Sequence, residues 1–198
     1  MTAQEVEVDG RRLRREQNRE AVIDALLALF GEGNYSPSAA EIAERAGISA
    51  RSLFRYFDDV DDLNRAAIER QLATIGPLRD PGVGADAPTT AKIDALVASR
   101  VRMHEAAGGA ARAARACAHR HPVIAAQLED ARRYLRRQII RLFEPEAGDQ
   151  PALLAVLDAL CSFETYELLR HGNGLSTART EAALVEAMTA LLQPEETR

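Results

Sequence analysis

Residues 38–57 read SAAEIAERAGISARSLFRYF, and this segment decides the fold of the N-terminal part of the chain. Ser38 followed by Glu41 is a capping box, in which the two side chains satisfy free N–H groups at the start of a helix. That helix is predicted to end at Gly47, which supplies a tight turn, and a further helix is predicted from about Ser49 to Phe57. The segment therefore predicts two short helices joined at a glycine, the pattern of a helix-turn-helix.

The further helix has one polar and one apolar side when its residues are placed at helical spacing. Leu53 and Phe57 share the apolar side. The polar side carries Arg51, Ser52, Arg55 and Tyr56. A helix fits the major groove of B-DNA, where arginine bridges two acceptors of guanine, and it also pairs with phosphates. An ordinary amphipathic helix with a solvated arginine face is the alternative, but the capped helix and the glycine before it favour DNA binding.

The periodicity of the whole chain predicts an all-α protein of about nine helices, because no segment shows strand-like alternation. The predicted helices cover about 12–31, 38–47, 49–57, 60–75, 90–106, 110–120, 122–143, 151–171 and 177–192. We predict a flexible N-terminal tail at 1–10, a DNA-binding domain of three helices at 11–60, and a helical bundle at 61–198.

Composition restricts the class and the location of the protein. Hydrophobic residues make up 46% of the 198 residues, enough for a packed core. The two cysteines make no disulfide framework, no long apolar run predicts a membrane span, and the acidic start resembles no secretory signal. We therefore expect a cytoplasmic, nucleoid-associated protein with no membrane partner.

The charge distribution agrees only weakly with a DNA-binding N-terminal part. The chain has a net charge of −5, but residues 10–57 hold eight arginines against six acidic residues, a net charge of +2. Arg11, Arg12, Arg14 and Arg15 are clustered at its start. This cluster is equally consistent with an arm that contacts DNA and with a solvated tail.

The pieces LFGEG at 29–33, IAERAGIS at 42–49, LFRYF at 53–57, and Leu63 resemble the TetR-type (TetR/AcrR) transcriptional regulators. The resemblance covers about residues 15–70. It implies an N-terminal DNA-binding domain and a C-terminal helical domain that binds a small molecule and forms a homodimer.

The resemblance also implies a set of DNA-binding residues. It places Ser38, with Ala39, near a phosphate, and Ser49, Arg51, Ser52, Phe54, Arg55 and Tyr56 along the groove and its walls. Two positions depart from the family pattern, which usually has tyrosine at Phe54 and lysine at Val60. Two phosphate contacts are therefore in doubt, and the arginines at 11–15 could compensate.

The C-terminal part is less informative. The resemblance implies that the last two long helices form the dimer interface; the alternative is that they only complete the intramolecular core. Candidate ligand-binding residues on the middle and late helices are Met103, His104, Cys117, Tyr134, Phe163 and Tyr166.

The remaining chemical patterns do not predict catalysis or a metal site. Cys117 and His121 share a helix face, but His119 points elsewhere, and a zinc site usually needs three or four ligands. No Ser-His-Asp spacing or phosphate loop occurs, and the arginines between 132 and 141 indicate a solvated face. We therefore predict no cofactor, no metal and no enzymatic activity.

These observations together predict a transcriptional regulator, most simply a repressor. It would bind a palindromic operator in double-stranded DNA as a homodimer and be released by a small-molecule effector that the sequence does not identify. The alternative is a protein-interaction or architectural module that kept the fold without operator binding.

Overall fold

The computed structural model describes the backbone of residues 3–192 and the side chains of residues 12–192. Over this range the protein is all-α, as predicted, with ten α-helices. They are α1 (Ala3–Gly31), α2 (Ala39–Arg45), α3 (Ala50–Leu53), α4 (Val60–Ile75), α5 (Thr89–Cys117), α6 (Pro122–Leu142), α7 (Glu144–Ala147), α8 (Pro151–Leu160), α9 (Phe163–Glu167) and α10 (Thr177–Leu192). A 3₁₀ turn covers Gly76–Leu78, and a π-helical turn covers Leu168–Gly172. Within the described residues, no helix is long and apolar enough to cross a membrane.

The chain forms two compact units that do not follow the predicted boundary at residue 60. Unit 1 comprises Met1–Ala73 and Gly108–Leu128, and unit 2 comprises Thr74–Ala107 and Glu129–Arg198. The difference arises because α4 buries Leu63, Ala66 and Ala67 in the same core as the preceding helices. Residues 61–73 therefore pack with the N-terminal helices.

The core of unit 1 explains how very short helices persist. An isolated helix shorter than about 12 residues is marginal in water, and α2 and α3 have only 7 and 4 residues. Their buried side chains, each contributing about 1.5–3 kcal/mol when large and apolar, hold them in place. This core consists of Val22, Ile23, Ala25, Leu26, Leu29, Phe30, Ile42, Ala43, Leu53, Phe57, Leu63, Ala66, Ala67 and Ala113.

Helix α1 begins at Ala3, whereas the sequence predicted a flexible tail over 1–10 and a helix from about Arg12. A glycine at position 10 weakens a helix interior without forbidding it.

One helix replaces two predicted ones, because α5 runs unbroken through Gly108 and Gly109. A Cβ atom added at Gly109 would lie 2.5 Å from the carbonyl oxygen of Phe30 and 2.7 Å from Cα of Gly31. Gly109 therefore allows the end of α1 to approach the backbone of α5 closely. The glycine at this position is explained by helix packing and not by a helix end.

The predicted helix over 151–171 is divided in two. Ser162 accepts a hydrogen bond from the backbone N–H of Thr165 at 3.2 Å, so it caps a new helix, α9. The sequence also missed the short helix α7, which includes Glu146. The merger, the division and α7 together account for ten helices instead of nine.

Candidate nucleic-acid interface

The start of α2 has the predicted capping box. The Oγ of Ser38 accepts from the backbone N–H of Glu41 at 3.2 Å, and Glu41 Oε2 accepts from the backbone N–H of Ser38 at 2.8 Å. The Ser38 hydroxyl also donates to Glu41 at 2.6 Å, and this bond lowers the pKa of the Glu41 carboxyl. Both side chains are exposed, so Ser38 holds the helix start in place at the surface.

The turn after α2 requires a glycine. Gly47 has φ +70°, a left-handed conformation that other residues rarely adopt. The N–H of Ile48 bonds to the carbonyl of Ala43 at 3.0 Å, and that of Gly47 bonds to Glu44 at 3.1 Å. These two bonds form a Schellman motif, which ends α2 and directs the chain into α3.

Helix α3 is shorter than predicted, since its regular part ends at Leu53 and not near Phe57. Ser49 caps it by accepting from the N–H of Ser52 at 3.2 Å. Beyond Leu53 the backbone hydrogen bonds span three residues instead of four. The N–H of Arg55 donates to the carbonyl of Ser52 at 3.1 Å, and the N–H of Tyr56 donates to the carbonyl of Leu53 at 3.0 Å. This tighter path still buries Phe57, which is 1% exposed, but it displaces Arg55 and Tyr56 from an ideal helical wheel.

The exposed edge of this segment carries two arginines. Ser49, Arg51, Phe54 and Arg55 are exposed, and Ser52 is half-buried. Within the described part of the chain, Arg51 and Arg55 form no ion pair, although the Arg55 guanidinium lies 5.9 Å from the centre of the Tyr56 ring. Two unpaired guanidinium groups on one short edge can donate to guanine or to phosphate oxygens.

Tyr56 differs from the other predicted DNA contacts because its side chain is partly buried against the core of unit 1. Its ring packs against the core, and its hydroxyl accepts a hydrogen bond from Asn18 Nδ2 at 2.9 Å. The hydroxyl keeps its own hydrogen for donation to another acceptor. The sequence did not reveal Asn18, since 38 residues separate it from Tyr56.

The two positions that depart from the family pattern are both at the surface. Phe54 is 53% exposed and Val60 is 51% exposed. Val60 begins α4, whose start is capped by Asp59 Oδ1 accepting from the N–H of Asp62 at 2.7 Å. Apolar side chains therefore occupy two exposed positions where hydrogen-bond donors were expected.

The six predicted ligand-binding residues do not form one group. His104, Phe163 and Tyr166 are buried together in unit 2, with the His104 ring centre 5.6 Å from that of Phe163 and 5.4 Å from that of Tyr166. Met103 is also buried in unit 2. Tyr134 is 37% exposed, and the Arg79 guanidinium lies 3.9 Å from its ring centre.

Cys117 belongs to unit 1, whereas the other five candidates belong to unit 2. Burial raises the pKa of its thiol, which therefore stays protonated at neutral pH. His121 Nδ1 instead lies 2.8 Å from Asp61 Oδ1. In the residues with described side chains, no three histidine, cysteine, aspartate or glutamate side chains are arranged to hold a metal ion.

Comparisons with known proteins agree with this geometry. Residues 22–67 match the family profile described as bacterial regulatory proteins, tetR family. No curated protein matches the chain.

Several solved structures share its fold. A tetR-family transcriptional regulator from Streptomyces coelicolor is 25% identical, with a TM-score of 0.62, over 87% of this chain and 81% of the other. A transcriptional regulator from Rhodococcus sp. Rha1 is 18% identical, with a TM-score of 0.64, over 90% and 96%. The TetR-like regulator LfrR from Mycobacterium smegmatis, solved in complex with proflavine, is 20% identical, with a TM-score of 0.56, over 90% and 98%.

The matched residues include all of α2 and α3, the Gly47 turn and the buried face of α4, so the profile and the structure coincide on the same helix-turn-helix. Residues 22–67 therefore match the tetR family of bacterial regulatory proteins, and the chain has the fold of that family's transcriptional regulators.

Proposed function

We propose that this protein is a transcriptional repressor that binds a palindromic DNA operator as a homodimer and is released by a small-molecule effector. The observation that supports DNA binding most directly is the exposed edge formed by α3 and the turn after it. Arg51 lies on α3 and Arg55 in the turn after it, both without ion-pair partners in the described structure, and the Ser49 cap and the buried Leu53 fix this segment. Donors on a rigid element are suited to reading base edges.

A homodimer is proposed because a palindrome presents two equivalent half-sites. Helices α8 and α10 pack against each other in unit 2. Val156 on α8 is 45% exposed and Leu191 on α10 is 40% exposed, so apolar side chains remain at the surface of both helices. A second copy of this pair would bury them in an isologous interface.

The proposed effector site is the aromatic group of His104, Phe163 and Tyr166, with Met103 beside it on α5. An effector shifts the equilibrium only if it binds the DNA-free state more tightly than the DNA-bound state. The proflavine bound to LfrR is a small molecule held by a protein of the same fold, which supports an effector in this class of structure.

The test is a fluorescence titration of the full chain against its selected operator. We expect Arg51→Ala and Arg55→Ala each to weaken specific binding by about 1–3 kcal/mol. Arg137→Ala is the matched control, because it removes the same charge from an exposed position on α6, outside the helix-turn-helix. If all three variants bind alike, the edge of α3 does not read DNA.

A second candidate is a protein-interaction or architectural module without operator binding, and the exposed apolar side chains of Phe54 and Val60 favour it. Such a module would enrich no DNA sequence. Selection from random DNA therefore separates the two functions.

A further inference from the structure

Arg100 is a buried cation whose hydrogen bonding is incomplete. It lies on α5 in unit 2 and is 1% exposed. Its Nη2 donates to the carbonyl of Leu135 at 3.3 Å, while Nε and Nη1 have no hydrogen-bond partner. Arginine does not lose its proton in proteins, so a buried guanidinium is costly unless an anion or other acceptors match it.

The groups around Arg100 do not supply that anion. Asp158 lies close enough to favour the charged guanidinium, but its Oδ2 is 3.6 Å from Arg136 Nη1, and Arg79 opposes with a like charge. Burial raises the pKa of the Cys161 thiol to about 12, so this neighbour is neutral at physiological pH. Asp158 is therefore shared between Arg100 and Arg136, and Arg79 adds a further positive charge near Arg100.

An apolar and aromatic environment adjoins the unpaired guanidinium. His104 follows Arg100 by four positions on α5, so the two side chains share a face of the helix. His104 Nε2 lies 3.0 Å from the carbonyl oxygen of Cys161, and its ring contacts those of Phe163 and Tyr166. An inorganic anion would not use these rings, whereas an organic acid would use both features.

We propose that Arg100 binds the carboxylate of a small organic acid whose apolar body packs against His104, Phe163 and Tyr166. The acid is then the effector, a step that rests on the proposed regulatory function. The carboxylate supplies the acceptors that Nε and Nη1 lack, and a charge-assisted pair in a water-poor site is strong.

Two carboxylates and their uncharged amides test the site directly. Benzoate, hexanoate, benzamide and hexanamide are titrated into the full-length protein by calorimetry, without DNA. We expect both carboxylates to bind, both amides to bind at least about tenfold more weakly, and Arg100→Met to lose the same factor for the carboxylates. Arg137→Met, which removes an exposed arginine from α6, should bind like wild type. Equal binding of acids and amides, equal binding by Arg100→Met, or no carboxylate binding at tens of millimolar would each overturn the proposal.

The stability of the ligand-free protein gives a second, independent answer. If the guanidinium is an unfilled anion site, Arg100→Met should leave Tm unchanged or raise it, because the variant removes an unmatched buried charge. If Asp158 is the partner of Arg100 in solution, Arg100→Met and Asp158→Asn should lower Tm by similar amounts, and the proposal is then wrong.

The two levels of the proposal fail separately. Carboxylate binding that leaves operator affinity unchanged would overturn the effector role while the anion site stands. Absence of any operator would overturn the proposed function, yet the DNA-free titration of Arg100→Met would still decide the anion site.

Discussion

At the scale of single residues, the edge formed by Ser49, Arg51, Phe54 and Arg55 mixes hydrogen-bond donors with an exposed aromatic ring. Arginine supplies charge and directional donors, whereas phenylalanine supplies neither and contacts only apolar groups such as the thymine methyl. If this edge binds DNA as proposed, we expect its affinity for phosphates to depend on fewer side chains than the family pattern provides.

Restoring the two missing donors should strengthen DNA binding. Phe54→Tyr adds a hydroxyl, and we expect it to increase affinity for the operator by about 0.5–1.5 kcal/mol. Val60→Lys adds one phosphate contact and should steepen the dependence of log K on log salt by about 1. Titrations at several salt concentrations measure both effects.

Val60→Gln is the control for the lysine variant, because it is polar and of similar length but uncharged. It should leave the salt dependence unchanged. Unaltered affinity and salt dependence in Phe54→Tyr and Val60→Lys would mean that these positions do not face DNA.

The residues that were predictable are those whose partners are near in sequence. Ser38 and Glu41 are three positions apart, so their capping box was visible in the sequence and is confirmed. Asn18 and Tyr56, and likewise Arg100 and Leu135, meet only because distant helices pack together. No local pattern in the sequence encodes those pairs.

At the scale of helices, α5 shows why glycine pairs are ambiguous. Two adjacent glycines, such as Gly108 and Gly109, usually indicate a helix break. The structure shows instead that the carbonyl oxygen of Phe30, on α1, lies where a Cβ atom of residue 109 would be. The division between α8 and α9 is the opposite case. There Ser162 caps a new helix within an apolar run that predicted continuity.

The glycine pair allows a matched test of this packing. Gly109→Ala should destabilise the protein by about 1–3 kcal/mol, since its Cβ would lie 2.5 Å from the backbone oxygen of Phe30. Gly108→Ala meets nothing within 4 Å and should stabilise the helix by about 0.5–1 kcal/mol. Thermal unfolding of the two variants measures the difference. Shifts of the same sign would contradict the close approach of α1 and α5.

The only lysine joins α5 to α7 in unit 2. Lys92 is 1% exposed, and its Nζ donates to the carbonyl of Ala85 at 2.9 Å and to Glu146 Oε2 at 2.7 Å. Burial alone would raise the pKa of Glu146, but hydrogen bonds from Lys92 and Thr89 outweigh it and lower the pKa below its ordinary value. The carboxyl of Glu146 is therefore ionised at neutral pH.

This lowered pKa predicts a specific dependence of stability on pH. A carboxyl with a depressed folded-state pKa stabilises the protein above its ordinary value of 4.5, and this contribution is lost as the pH falls through the folded-state pKa. Glu146→Gln should thus lower stability by about 1.5–3 kcal/mol at pH 7 and by progressively less below pH 4.5.

Glu144→Gln, at an exposed position of the same helix, is the control and should change stability by less than about 1 kcal/mol. Measuring Tm for wild type and both variants from neutral to acidic pH tests this prediction. A constant difference between wild type and Glu146→Gln across that range would show that the pair does not titrate as described.

At the scale of the whole molecule, the sequence predicted the fold class and the helix-turn-helix well because both follow from local periodicity, caps and turns. It missed the extent of unit 1, because Gly108–Leu128 joins the N-terminal helices only through contacts distant in sequence. The proposed effector site depends on the same kind of contact. Residues on α5 meet Cys161, Phe163 and Tyr166 from the C-terminal helices, as the His104 ring shows.

The central claim is that this molecule reads a specific DNA sequence through the edge of α3. Selection of bound sequences from random double-stranded DNA, using the full-length protein, tests it most directly. We predict enrichment of a single palindromic site whose half-sites are separated by about one helical turn or a multiple of it. Recovery of no common sequence, with binding that depends only on salt, would contradict the claim.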